Sequence, residues 1–474
     1  MTGLLAAAAL TGCGGAEGNA GTLAFRNPLR VPPLLDPAPG PDGVRRFALE
    51  LRRGRTEFLP GKPAATWGVN GDYLGPTLRA RRGDRVAVAV TNTLGEPTTL
   101  HWHGMRLPAK MDGGPHQTIQ PGATWRPEWT VEQPAATTWY HPHPHGLTAR
   151  HVYRGLAGMF LLDDDHDTAL PRTYGVDDVP LIIQDKKIAA DGSLDEDFGG
   201  TFGMLGDQVL VNGTYDPHLR VTTTRVRFRV LNASNAHVFH LGFADDRAYH
   251  VVATDAGLVD RPVPVRRIRV SPGERFEIVV GFRPGERVVL KGFGGDDEID
   301  SGDYDILELR AATRLTPSAG LPGTLTDLAP PAAGGRVRTF RLGGSNVNHQ
   351  NMDMTRVDEV VPAGAHEVWE LDNVTFDHNF HIHEARFRVL DVDGRPPEEY
   401  QRGPKDTVFV PGHALVRVAV EFGRYVDPAT PYMYHCHILR HEDNGMMGQY
   451  VIVEPGTEDS VPRSAPTTGH GHGH

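Results

Sequence analysis

The feature that most limits how this chain can fold is a long internal repeat. Three segments, "RVAVAVTNTLGEPTTLHWHG" (85–104), "RVRFRVLNASNAHVFHLGF" (225–243) and "EVWELDNVTFDHNFHIHEARF" (367–387), each run as an alternating stretch that closes on an asparagine. Asn92, Asn232 and Asn373 fall 140 and 141 residues apart. That period is too long for a solenoid repeat and matches the size of an ordinary domain, so it predicts three copies of one domain in succession. We place them at about 40–165, 175–315 and 335–455, joined by the turn-rich stretches "DDDHDTALPRTYGVDD" and "RLTPSAGLPGTLTDLAPPAAGGR". Short alternating runs recur between Gly/Pro turns, with 55 glycines and 38 prolines in all, and long helix-period runs are scarce. The expected class is therefore all-β.

Charge excludes one class of partner. A net charge of −11 leaves no basic footprint, so nucleic acid is not expected to bind. The first 39 residues read as a signal and flexible lead-in. Within them "LTGC" (Leu10 to Cys13) resembles a bacterial lipobox, which predicts export to the cell envelope or periplasm and a lipid anchor on Cys13 as the only membrane contact. Residues 456–474 read as a disordered tail ending in "GHGHGH".

Only two cysteines are present. If Cys13 is lipidated, Cys436 has no disulfide partner in the chain and must serve as a thiol or a ligand. It stands between His435 and His437, with His441 and Met446 close behind. Successive side chains of a strand point to opposite faces, so His435 and His437 share one face and Cys436 takes the other.

The repeats differ in their histidines. After its asparagine the first copy has His101 and His103, and the third has His378, His381 and His383. The second has His237 and His240, with Gly242 where the third has His383, and these two histidines read as remnants of the repeat. A further pair of segments, "TWYHPHPHGL" (138–147) and "YMYHCHILRH" (432–441), matches His141 and His143 to His435 and His437, with Pro142 in place of Cys436 and Leu147 in place of His441. Metal-binding capacity is thus concentrated in the outer copies, and only the third offers sulfur. The separation of three between His378 and His381 sends them to opposite faces.

The set HWHG (101–104), HPH (141–143), HNFHIH (378–383) and HCHILRHEDNGM (435–446) resembles the multicopper oxidases, the family of laccases, bilirubin oxidases and bacterial cuprous oxidases. "DVPLIIQDKKIAADG" and "HGLTARHVYRGLAGMFLLDD" look like the bacterial laccase and cuprous-oxidase branch. The resemblance implies three cupredoxin-like Greek-key β-sandwich domains and copper as cofactor, as one type 1 ion, one type 2 ion and a type 3 pair. Cys436, His378, His441 and Met446 supply the thiolate, imidazoles and thioether that suit a blue centre cycling between Cu(I) and Cu(II). His101 and His381 resemble the type 2 ligands. His103, His141 and His437 resemble those of one type 3 ion, and His143, His383 and His435 those of the other. Asp112 and Glu442 match acidic positions that bacterial members use as proton donors.

The implied reaction passes electrons singly from a small phenolic or aromatic donor, or from a metal ion, to dioxygen, giving water. A monomer is expected. A copper nitrite reductase would use two such domains per chain and fewer His-x-His pairs. A copper-free structural relative would have lost ligands, and here ten histidines, Cys436 and Met446 are all present. Dedicated cuprous oxidases carry a methionine-rich insert, whereas residues 312–378 contain only Met352 and Met354. This favours a laccase-like activity over a metal-ion oxidase. Among the remaining residues His145 is expected to support the site from behind, Met447 to lie in the core, and "GGDDEIDSGDYD" (294–305) to form a solvated loop.

Overall fold

The computed structural model describes residues 18–464 and is built almost entirely of strands. The Cys13 lipobox and the histidine tail lie outside the described residues. Six sheets pair into three two-sheet sandwiches of the cupredoxin type. In the first, a sheet ordered Lys62–Val69, Val44–Leu59, Arg85–Asn92, Thr124–Trp125 faces one ordered Leu34–Leu35, Thr77–Arg81, Gly158–Asp163, Ala136–His141, His101–His103. The second pairs sheets of seven and six strands, and the third two sheets of five.

The repeat is visible in strand register. Arg85–Asn92, Arg225–Asn232 and His366–Asn373 each pair in parallel with a preceding strand, placing Asn92 opposite Leu51, Asn232 opposite Ile183 and Asn373 opposite Leu342. The closing asparagine does the same work three times. Its Oδ1 accepts the amide two residues on, from Leu94, Ser234 or Thr375. Its Nδ2 donates to carbonyls across the sandwich, those of Ile119, Val270 and Val410. An Asx turn of this kind ends the strand and holds the loop that leads to the histidine strand.

Burial separates the second copy from its neighbours. The strands ending at Asn92 and Asn373 alternate buried with half-buried positions, as an outer sheet does. Arg225–Asn232 is buried on both faces, because the first unit covers it: Leu231 packs with Trp139, Met159 and Leu161, and Arg229 donates to the Thr137 hydroxyl. Its arginines are consequently paired inside the protein: Arg229 with Asp178 at 2.6 Å and Glu277 at 3.0 Å, and Arg227 through Nε with Glu277 at 2.6 Å.

The lead-in differs from the flexible segment expected. Asn27–Pro28 pairs in parallel with Pro217–His218 of the second unit, and Leu34–Leu35 pairs with Thr77–Leu78 of the first. Completing two sheet edges removes exposed backbone donors and acceptors, which outweighs the segment's turn-rich composition. Among the described residues no helix is long and apolar enough to cross a membrane.

Candidate metal centre

Two donor clusters lie on opposite faces of the same strands, and the alternation of side chains places them there. In His101–His103, Trp102 packs into the first core against Trp129 and Tyr140, so both histidines turn the other way. In His378–Ile382, Phe380 and Ile382 enter the third core while His381 faces outward with His383, and His378 stays on the core side. Cys436 shares that core side, and Met446 lies in the same cluster with its carbonyl accepting the Cys436 amide at 3.1 Å. No one of the ten histidines, Cys436 or Met446 is more than 1 % exposed.

The smaller cluster contains the sulfur. Cys436 Sγ stands 3.7 Å from His378 Nδ1 and 3.5 Å from His441 Nδ1, and those two nitrogens are 3.1 Å apart. His441 Nε2 donates to the Thr201 carbonyl at 3.0 Å, which leaves Nδ1 as the lone pair facing the sulfur. Burial pushes the thiol up to about 12, against a smaller opposing pull from the Asn379 and Ile438 amides. Asn379 also accepts the His437 amide at 2.7 Å, tying the sulfur-bearing turn to the His378 strand.

Apart from the Asp406 carboxylate beside His103 and His381, the larger cluster has nitrogen donors only, and it straddles two units. His101 stacks on His383 with ring centres 3.8 Å apart, and His103 on His381 at 3.7 Å, each stack joining the first unit to the third. The rings are held from behind. His101, His141, His381 and His435 donate Nδ1–H to the carbonyls of Asp112, Pro142, Asp406 and Cys436 at 2.8–3.0 Å. A carbonyl only accepts, so the proton of each ring sits on Nδ1 and Nε2 is left as a lone pair directed inward. His383 Nδ1 is held by the Asp112 carboxylate at 2.8 Å. His143 Nε2 and His383 Nε2 each lie 3.2 Å from His435 Nε2. Glu442 is buried behind this group, 3.3 Å from His143 Nδ1 and 3.2 Å from His435 Nδ1.

The donor set fits copper. His101 Nε2, His381 Nε2 and both nitrogens of His437 are buried without a hydrogen-bond partner. Buried polar atoms are rarely left so, and a ring of converging imidazole lone pairs is what a borderline cation binds. Triplets whose donor atoms all lie within 4.8 Å of one another include His378, Cys436 and His441, then His143, His383 and His435, then His101, His103 and His141, and His101 with His381 and His383.

Positions outside these clusters divide. His237 is buried against Phe239 and Tyr304, His240 pairs with Asp300 at 2.8 Å, and neither joins a cluster. Met447 lies in the core. His145 does not stand behind the site: the turn through Gly146, at φ 75°, lifts it into solvent. The acidic stretch is not all loop, since a short 3-10 helix at Glu298–Asp300, capped by Asp297, interrupts it. Asp406 was not singled out by sequence, yet its carboxylate lies 3.2 Å from His103 Nε2. Burial opposes its charge, but Arg275 and His103 hold the carboxyl well below the usual range. It sits in "GPKDTVFV", with no histidine or repeat to mark it.

Burial also holds His378, His381 and His441 neutral. It lowers His441 to about 4, with Arg440 adding to the shift, and His381 to about 4, with the Asp406 carboxylate opposing. An unfolded histidine titrates near 6.5, so between about pH 6.5 and 4 the unfolded chain binds more protons and stability falls as pH falls. Each such residue costs about 2 kcal/mol at pH 5 relative to pH 7. Copper-stripped protein is therefore expected to melt on the order of 10 °C lower at pH 5 than at pH 7. Equal melting temperatures at the two pH values would contradict the neutral, buried assignment.

Comparison with known proteins agrees with this geometry. Three multicopper oxidase family models match in succession, over residues 50–167, 184–287 and 325–456. The multicopper oxidase mco of Staphylococcus aureus is 35% identical over 440 residues, covering 90% of this chain and 93% of its own. The cell division protein FtsP of Salmonella typhimurium is 36% identical over 444 residues, with the same coverage of 90% and 93%. Among solved structures, a laccase-like multicopper oxidase CueO from the lignin-degrading bacterium Ochrobactrum sp. superposes with a TM-score of 0.83 at 37% identity, covering 90% of this chain and 100% of that one. With the family matched in all three units and its two kinds of donor cluster assembled from these residues, the chain belongs to the multicopper oxidases, oxidoreductases whose cofactor is copper.

Proposed function

We propose that the protein is a laccase-like oxidase that couples four one-electron oxidations of small phenolic or aromatic donors to the reduction of one dioxygen to two waters. The observation that carries this reading is the single turn at His435, Cys436 and His437. Its sulfur faces His378 and His441, while the rings on either side face the nitrogen-only cluster, so the two donor sets are joined by consecutive residues. Copper bound in the first set would supply one-electron chemistry, and together with three copper ions bound in the second it would supply the four electrons that dioxygen takes up.

In this reading His378, Cys436, His441 and Met446 hold the type 1 ion, and His101 with His381 the type 2 ion. His103, His141 and His437 hold one type 3 ion, and His143, His383 and His435 the other. Four phenols give four phenoxyl radicals, four electrons and four protons, and water formation consumes the same number. Asp112 and Glu442 are buried carboxyl groups in contact with cluster histidines, and in this reading they relay those protons, whereas Asp406, which also touches His103, is committed to Arg275.

Donor choice follows from what surrounds the sulfur site. Phe202 and Phe376 lie with ring centres 6.0 and 5.3 Å from His441, and Phe376 is 5.1 Å from His378. Aromatic rings packed against both ligand histidines, one of them half-buried, suit an electron-rich arene as the donor. The Ochrobactrum enzyme, by its description, oxidises lignin model compounds. One observation favours metal ions instead: the Met352 amide donates to the Gly445 carbonyl at 2.9 Å, so a half-buried methionine lies against the loop that bears Met446.

The test is kcat/KM for a methoxyphenol, Cu(I) and Fe(II) side by side on one preparation shown by elemental analysis to hold four coppers per chain. The phenol is expected to be oxidised without added copper. A preference of about a hundredfold for either metal ion, some 2.7 kcal/mol at the transition state, would make the protein a metal oxidase. A single copper, or zinc in its place, would remove the reading altogether.

A further inference from the structure

The second unit supplies no residue to any metal-ligating triplet among the described residues, yet one of its side chains reaches the edge of the larger cluster. Arg275 opens the strand Arg275–Gly281, and its guanidinium is fully buried. All five of its N–H groups are used. Nε donates to the Thr137 carbonyl of the first unit at 2.9 Å. Nη1 donates to the Gly273 carbonyl at 3.0 Å and to Asp406 Oδ1 at 2.7 Å. Nη2 donates to the Asp255 carbonyl at 2.9 Å and to Asp406 Oδ2 at 2.5 Å. Arg275 thus touches all three units, and it grips Asp406 of the third by both oxygens, the geometry that a planar guanidinium provides and an ammonium does not.

Asp406 in turn touches two cluster histidines from different units. Its Oδ1 lies 3.2 Å from His103 Nε2 and accepts the Thr407 hydroxyl at 2.9 Å, while its carbonyl accepts His381 Nδ1–H at 2.8 Å. Those two rings stack with an interplanar angle of 12°. With His103 Nε2 turned to Asp406, its Nδ1 is the nitrogen that faces the cluster, 3.4 Å from His141 Nε2. The neighbouring cation Lys405 is engaged elsewhere, its Nζ lying 2.9 Å from Asp255 and 3.0 Å from Glu274. The last residue of the HWHG motif makes room for the pair. A Cβ on Gly104, at φ 85°, would stand 2.6 Å from Arg275 Nη2 and 2.7 Å from Asp406 Oδ2.

We propose that Arg275 is a positioning residue for the nitrogen-only site: by clamping Asp406 it sets the ring orientations of His103 and His381, so the unit without ligands aligns ligands contributed by the units on either side. The proposal rests on His103 and His381 being copper ligands, as read above. It differs from a purely structural cross-link between domains, which would hold the units together without tuning the rings.

The experiment uses the full-length, copper-loaded protein with Arg275→Lys, Asp406→Asn and the paired replacement Arg275→Met with Asp406→Leu. The pair removes both charges together, so that neither is left stranded in the interior if a single change fails to fold. Copper retained after dialysis against a chelator, the type 2 electron paramagnetic resonance signal, the blue absorption and the melting temperature are measured together. The expected result is unchanged blue absorption, a shifted type 2 hyperfine splitting, and copper retention at the larger cluster weaker by roughly tenfold or more, as for other groups that orient metal-bound histidines. A parental type 2 signal with parental retention in any folded variant, whatever its melting temperature, overturns the proposal. His103→Ala and His381→Ala serve as the reference: if these keep all four coppers, the fault lies in the ligand assignment.

Discussion

Cys436→Ser is expected to abolish the intense blue absorption, lower copper content from four ions to three, and reduce turnover with a phenolic donor by at least roughly a thousandfold, about 4 kcal/mol in the activation barrier. The reasons are local. Cys436 is the only cysteine among the described residues and its sulfur lies within reach of both His378 Nδ1 and His441 Nδ1, and a serine hydroxyl is a hard donor that does not replace a thiolate for copper. The change leaves the larger cluster intact, because its nitrogens are held by Asp112, Pro142, Asp406 and the Cys436 main-chain carbonyl, which serine retains. A folded variant that stays blue, or that loses all its copper, would show that the two donor sets are not the separate sites proposed.

Asp112→Asn is expected to separate the two halves of the reaction. The asparagine keeps the size of the side chain, and its Oδ1 still accepts the His383 Nδ1–H that the carboxylate holds at 2.8 Å. The main-chain carbonyl that holds His101 is untouched. Gly113, at φ 78° and too close to the Leu100 carbonyl to bear a Cβ, keeps the turn in place. What is lost is the carboxyl group that we propose exchanges a proton beside the cluster. Reoxidation by dioxygen is therefore expected to slow by about a hundredfold, within the usual range for a general acid, while bleaching of the blue absorption by donor keeps its parental rate in stopped flow. Slower bleaching with normal reoxidation would assign Asp112 a structural role in the donor site and remove it from proton delivery.

The FtsP relative matches over as much of the chain as the S. aureus oxidase does, so likeness in length and fold alone does not separate an oxidase from a protein named for cell division. What speaks for copper chemistry here is the chain's own centre, where the ten histidines, Cys436 and Met446 are buried and ten of these twelve residues fall into closely spaced donor triplets.

Much of this was legible in the residues alone, because it depends on rules that act within one strand. Alternation with a period of two puts His101 and His103 on one face and Trp102 on the other, wherever the strands end up in space, and the same division of Cys436 from His435 and His437 holds although the strand ends at His435 and the next residues form a turn. The spacing of Asn92, Asn232 and Asn373 likewise exposes the three domains, since each asparagine closes a strand by bonds to its own loop. Tertiary structure alone decided what meets across units. Asp406 reaches His103 over a separation of 303 residues and Asp112 reaches His383 over 271, and no local pattern encodes such contacts. It also decided that Arg227 and Arg229 are buried, because the period that marks a half-exposed strand says nothing about a neighbouring domain that covers the second face. Arg275 belongs with these: in the sequence it is one charge at the start of a strand, and only the docking of three sandwiches turns it into a contact between the second unit and the histidines of the other two.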